Sequence, residues 1–313
     1  MTPLHIPTPL IDHPGMSTAL VKQVHLKLEN LQPSGSFKLR GIGLLCQRAA
    51  AKGVHRIVCP SGGNAGFAAA VAGVRLGIAT TIVLPETTPA SVAQKIRALG
   101  ADVIVHGSTW DESNEQARRL CDQPGVLYVP PFDHADIWDG NATLIDEAVI
   151  QSQELRASFD VVVCAVGGGG LLCGVLQGLH RNGLAEVPVI AVETEGAAGL
   201  HASIAAGELI TLPAITSIAT TLGARRIAQA AFDWSRRHDI RSVTVTDAQA
   251  VDACLRFADD MRMLVEPACG AALAVGYHNL PVLASFHNPL FVVCGGIGVE
   301  LDKLSGWKTR FGL

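Results

Sequence analysis

The 313-residue sequence is 49% hydrophobic and 17% charged, with a formal net charge of −4; such values fit a folded chain with a large core in one or two domains and exclude a disordered one. Its basic residues are scattered and leave no electrostatic footprint for nucleic acid or anionic lipid, so small-molecule chemistry is the better reading. The eight cysteines lie singly, with no Cys-x-x-Cys pair, as expected of reduced thiols in a cytosolic protein, and no apolar run reaches the roughly 18 to 20 residues of a membrane span.

The N-terminal stretch "MTPLHIPTPLIDHPG" has too many prolines and polar residues for a signal peptide, and a cytoplasmic location is expected. A short strand around Lys27 follows. In "QPSGSFKLRG", Gln32 to Gly41, Ser36 is a candidate N-cap, which places Lys38 in the first turn of a helix. Short apolar runs then alternate with helical patterns: "HRIVCP", "AGFAAAVAGVRLG", "ATTIVLP", "TPASVAQKIRALG", "ADVIVHG". This alternation marks βαβ units and a parallel sheet covered on both faces. Pro130 and Pro131 break it, and a helical pattern from Asn141 to Gln153 follows, so a domain crossing is placed there. The alternation restarts with "FDVVVCAVGGGG", "LLCGVLQGLHRNG", "VPVIAVETEG" and finally "PLFVVCGGIG". The expected fold is α/β, with two open twisted sheets, mostly parallel, and helices on both faces. The expected division is a large domain of 1–35 and 136–313 and a small domain of 36–135.

Three glycine-rich turns follow strands. Gly167, Gly168, Gly169 and Gly170 open a helical pattern, where free backbone N–H groups and the helix dipole favour an anion such as phosphate. The plain alternative is a turn that needs positive φ. A dinucleotide fingerprint fails on spacing, because the sixth position from Gly167 is Leu172 and from Gly168 is Cys173, and no P-loop ending is present. "PSGGNAG", Pro60 to Gly66, offers N–H groups and an amide to a carboxylate or ring oxygen, although Asn64 by itself reads as a helix cap. "CGGIG", Cys294 to Gly298, is the third. Such turns gather at the carboxyl edge of a parallel sheet, so the three together point to one cleft.

Of the lysines, Lys22, Lys27, Lys52, Lys95, Lys303 and Lys308 read as solvated side chains. Lys38 differs, because the first turn of a helix disfavours a cation and lowers its pKa. A neutral amine attacks an aldehyde to form a Schiff base. A Schiff-base lysine and a separate phosphate site together describe pyridoxal 5'-phosphate.

With these motifs in hand, the sequence resembles the serine/threonine dehydratases among the fold type II, tryptophan-synthase-β-like, pyridoxal-phosphate enzymes. "PTPL", "LENLQPSGSFKLRG", "PSGGNAGFAAA", "TIVLPETTP", "GGGGLLCGV", "AVETEGA", "ITSIATTLGA", "LVEPACGAALA" and "VVCGG" occur in that order over nearly the whole chain. The subgroup it is most similar to is the short serine dehydratase and its serine-dehydratase-like relatives. The resemblance implies that Lys38 is the Schiff-base lysine, that Phe37 and Thr221 lie against the two ring faces, and that Asn64 partners the ring hydroxyl. It likewise implies that Gly167 to Gly170 cradle the phosphate and that Cys294 partners the pyridine nitrogen. Ser61, Gly62, Asn64 and Ala65 then hold the substrate carboxylate, and Glu193 stands where some relatives bind a monovalent cation such as potassium. Thr221 replaces an expected alanine, and Gly63 matches the serine-dehydratase-like branch; both bear on rate and substrate preference. The implied activity is β-elimination of ammonia from L-serine or L-threonine by a homodimer. The alternatives are another β-reaction of the fold (threonine synthase, cysteine synthase or racemase type) and a catalytically weak pyridoxal-phosphate-binding homologue. A Thr-Gly-Asn-Thr motif of cysteine synthases is absent, and Ala65 stands where serine racemases carry histidine.

Overall fold

The computed structural model describes residues 2–313. The chain opens with β1 (Leu10–Asp12), α1 (Pro14–Leu20) and β2 (His25–Lys27). α2 (Lys38–Ala50), β3 (Arg56–Cys59), α3 (Asn64–Leu76), β4 (Ala79–Leu84), α4 (Ala90–Ala98), β5 (Asp102–Val105), α5 (Trp110–Leu120) and β6 (Val126–Tyr128) follow in strict alternation. After α6 (Ala135–Glu154) come β7 (Val161–Ala165), α7 (Gly170–Arg181), β8 (Val189–Thr194), α8 (Gly199–Ala206), α9 (Gln229–Trp234) and β9 (Ile240–Val245). α10 (Asp247–Met261), α11 (Pro267–Tyr277), β10 (Pro289–Val292) and α12 (Leu301–Phe311) complete it.

The strands form two sheets, one ordered β1-β2-β10-β7-β8-β9 and one ordered β5-β4-β3-β6. Every pairing is parallel except β1 with β2. β7 ("VVVCA") and β8 ("VIAVET") are buried along their whole length, which is why they read as continuous apolar runs and not as alternating ones. Their side chains centre the larger core, while Ile57, Cys59, Ile82 and Leu84 centre the smaller one between α2, α3 and α4. β3, β7 and β10 each end just before one of the three glycine turns, so the turns leave the carboxyl edges of both sheets.

Three local expectations are corrected. α2 begins at Lys38 itself, with Phe37 as its N-cap in helical geometry, and Ser36 caps nothing. The reason is that Ser36 is bridged to Gly295, while Phe37 N donates to Cys294 O at 3.0 Å and Gly296 N donates to Gly35 O at 3.0 Å, so the loop is stitched to the last glycine turn. α6 begins at Ala135, earlier than its apolar periodicity, because the ring of His134 accepts from Asp136 N and caps it. Lys27 is not solvated. It is fully buried, with its amine 2.6 Å from Thr8 O, 2.9 Å from Glu147 Oε2 and 2.8 Å from Gln151 Oε1. Arg40 joins the same network, forming a 2.7 Å pair with Glu29 and another with Glu147. This ties α2 to the chain before it and to α6.

Candidate active site

Lys38 is the first residue of α2, and its Nζ lies 2.5 Å from the carbonyl oxygen of Pro131. Burial pushes the amine down to about 8, against the opposing influence of Cys59, Cys294 and Glu266. The helix dipole alone predicts a lowered value; the larger cause is loss of water around the amine. Phe37, nearly buried, lies beside it, with Nζ 5.2 Å from the ring centroid.

The turn Gly167–Gly170 leads from β7 into α7. Among the described residues, none of the amide N–H groups from Gly167 to Leu172 donates to a backbone carbonyl, so this end of α7 presents a run of free donors. The missing side chains have a second cause. A Cβ at Gly168 would stand 2.3 Å from the ring of Phe132, one at Gly167 2.9 Å from Leu222 Cα, and one at Gly169 2.5 Å from Ala231 Cβ. Gly169 also has φ +90°. Packing therefore demands glycine here whether or not an anion binds, and Phe132 is the neighbour of the Pro131 that holds Lys38.

Asn64 is the first residue of α3, not its cap; Gly63 is the cap. Its side chain reaches away from its own helix, and Nδ2 donates to Glu266 Oε1 at 2.7 Å. Its Oδ1 is buried with no partner. Thr221 Oγ1 donates to the same Glu266 oxygen at 2.8 Å, and a Cβ on Gly63 would lie 3.7 Å from Thr221 Cγ2. Gly62, Gly63, Asn64, Thr221, Glu266 and Ile297 line one cleft. Ser61 Oγ accepts from Gly63 N at 3.3 Å, whereas Ala65 is buried in the smaller core, which leaves only its backbone N–H for a ligand. The amides of Asn64 and Ala65 donate to no backbone carbonyl. Cys294 follows β10 and precedes Gly295 and Gly296, whose φ values are +120° and +137°. Its thiol is pushed well up by a hydrogen bond with Cys269 and by burial.

Glu193 lies apart from this cleft, on β8. It is fully buried, and its two oxygens accept from Leu200 N at 2.8 Å and His201 N at 2.7 Å at the start of α8. Burial raises its carboxyl to about 7 despite these bonds. Among the described residues no cluster of three His, Cys, Asp or Glu side chains could hold a metal ion.

Sequence reasoning left out two parts of the site. The Pro131 carbonyl sits in a stretch read only as a break between domains, and no side-chain signal marks a backbone acceptor. Glu266 lies within the quoted "LVEPACGAALA", and a carboxylate directly before a helix-starting proline at an apolar stretch was the available signal. The fit to pyridoxal 5'-phosphate is good. A desolvated amine, a row of unengaged amides at a helix N-terminus and a buried Asn64 oxygen without a partner answer in kind to an aldehyde, a phosphate and a ring hydroxyl.

Comparison with known proteins agrees. Residues 1–295 match the model of the family described as pyridoxal-phosphate dependent enzyme. The chain is 47% identical to the human protein named serine dehydratase-like, over 99% of this chain and 96% of that one. It is 43% identical to human L-serine dehydratase/L-threonine deaminase, over 99% and 97%. The solved structure of a fungal L-serine ammonia-lyase from Rhizomucor miehei superposes with a TM-score of 0.93 at 37% identity, covering 98% of this chain and 99% of that one. With residues 1–295 matched by that family model and a 47% identical relative spanning nearly the whole chain, the chain belongs to the pyridoxal-phosphate dependent enzyme family.

Proposed function

We propose that this protein is a pyridoxal-phosphate-dependent ammonia-lyase that converts L-serine to pyruvate, L-threonine to 2-oxobutyrate, or both. The observation that carries this reading is the desolvated Lys38 amine at the start of α2, together with the unengaged amides at the starts of α3 and α7. The relatives named for serine and threonine deamination support it.

Lys38 Nζ would hold the cofactor through its aldehyde, and the amides from Gly167 to Leu172 would hold its phosphate. When bound, the cofactor supplies an electron sink for the bonds at the substrate's α-carbon. Phe37 and Thr221 would flank its ring, Asn64 would partner the ring hydroxyl, and Cys294 would partner the ring nitrogen. A thiol is a weak, uncharged partner, which suits a reaction in which the β-hydroxyl leaves promptly. Ser61, Gly62, Asn64 and Ala65 orient the substrate carboxylate at the start of α3, where the dipole favours an anion. Lys38 Nζ would then be the base for the substrate's α-proton, its hold on a proton weakened by burial.

The finer elements of this reading are a homodimer in the cytoplasm, the division into 1–35 with 136–313 and 36–135, and a potassium-type cation at Glu193. The last would use the lone pairs that α8 leaves free. The test is release of ammonia and keto acid from L-serine and L-threonine by purified holoenzyme. Keto acid from either substrate supports the proposal. Racemised serine, a substitution product, or bound cofactor with no turnover would replace it with one of the other readings of the fold.

A further inference from the structure

Glu266 is a buried carboxyl that the proposed chemistry does not use. Its Oε1 collects two donors, Asn64 Nδ2 at 2.7 Å and Thr221 Oγ1 at 2.8 Å. Asn64 starts α3 above the four-stranded sheet, while Thr221 and Glu266 belong to the chain around the six-stranded one, so the Asn64–Glu266 bond crosses the cleft. The backbone of Gly296 packs closely against the side chain, since a Cβ there would stand 2.4 Å from Glu266 Cγ. The other oxygen, Oε2, lies 3.6 Å from where a Cβ on Gly298 would be, and no described residue donates to it.

A carboxylate only accepts hydrogen bonds. Nδ2 must therefore be the Asn64 atom turned to Glu266, which leaves Oδ1 buried without a partner, and Thr221 gives its one hydroxyl proton to the same oxygen. We propose that Glu266 is a positioning residue for the cofactor's ring: by gathering the donor hydrogens of Asn64 and Thr221 on one charged oxygen, it fixes the two side chains that meet that ring. This rests on the reading of the cleft as a pyridoxal-phosphate site. A glutamine at 266 could instead donate to Asn64 Oδ1, so the amide could turn over, and its bonds to both donors would lose their charge assistance.

The role gives a pH signature. Burial raises the Glu266 carboxyl to about 6, against the Thr221 and Asn64 bonds and Lys38. The other titratable groups facing it are Lys38 on α2, Cys294 after β10 and Cys254 on α10, with Lys95 on α4 and Glu300 and Lys303 at the mouth of the cleft. The amine titrates near 8 and the two thiols well above their usual range, while Glu300 is paired with Lys95 and lowered. Of Lys38, the two thiols, Glu300 and Glu266, only Glu266 is thus placed between pH 5 and 7.

The experiment is a pH titration, from 5 to 8, of the visible absorption and cofactor affinity of holoenzyme, wild type against Glu266→Gln. The wild type should show a transition near pH 6; Glu266→Gln should lack it and bind pyridoxal phosphate about tenfold more weakly. Thr221→Val keeps the carboxyl but removes one of its donors, so its transition should move to higher pH; it also serves if Glu266→Gln does not fold. Wild-type affinity and an unchanged transition in Glu266→Gln, or an unmoved transition in Thr221→Val, overturns the proposal. Borohydride fixation of the cofactor to Lys38 in the same samples separates the two levels. A labelled Lys38 with unchanged titrations sinks only the role of Glu266, whereas an unlabelled Lys38 in the wild type sinks the cofactor reading beneath it.

Discussion

The amine of Lys38 and the carbonyl oxygen of Pro131 lie 2.5 Å apart, so the lysine is held by a neutral backbone group and not by a carboxylate. A neutral acceptor offsets only part of the cost of taking the cation out of water, and desolvation remains the largest influence on the amine. The folded value of about 8 lies below the ordinary 10.5, so the unfolded chain binds the proton more tightly. The penalty is present in full below pH 8, and stability rises with pH between 8 and 10.5. Lys38→Met should therefore stabilise cofactor-free protein by about 1–3 kcal/mol at pH 7, and the gain should vanish above roughly pH 10. Denaturant unfolding at the two pH values checks this.

For the glycine turn, packing and anion binding make different demands. Gly168→Asp brings both a side chain toward Phe132 and a negative charge toward the free amides. Cofactor affinity should fall by at least about a hundredfold, and overpacking should cost about 1–3 kcal/mol. Equilibrium binding together with thermal unfolding separates the two, and a folded variant with unchanged affinity would reduce the run to a turn.

Much of this arrangement can be read from residue types. Apolar runs of Val and Ile gave β3, β4, β7 and β8, because strands buried on both faces need no alternation. Lys38 stood out because a cation at a helix start is unfavourable by itself. What escaped was pairing across long sequence separations. Lys27 looks like any strand lysine until Glu147 is folded against it, and Asn64 looks like a cap until Glu266 takes its amide. Ser36 shows the same limit in reverse. Its local pattern is a good N-cap, but the bridge to Gly295 overrides it.

The buried network of Lys27, Glu29, Arg40 and Glu147 sets the position of α2, two residues from Lys38. Arg40→Met removes a fully buried cation and leaves Glu29 charged in the core. A loss of about 3–5 kcal/mol is expected, far more than for an exposed pair such as Arg119 with Glu115. Chemical denaturation of Arg40→Met and Arg119→Met makes the comparison.

At Glu193 the cation reading and a purely structural one diverge. If a cation binds there, activity should be higher in potassium or ammonium than in sodium or lithium, and Glu193→Ala should abolish the difference. If the carboxylate serves only the start of α8, rates should be equal in all four salts and Glu193→Ala should lower stability alone. Initial rates in matched chloride salts decide.

Chemical trapping tests most directly whether Lys38 carries the cofactor. Purified holoenzyme should be yellow, and borohydride should make the linkage permanent. Peptide mapping of the reduced protein should then find the pyridoxyl group on Lys38 and on no other lysine. An adduct on another lysine, or none after full reconstitution, would contradict the account.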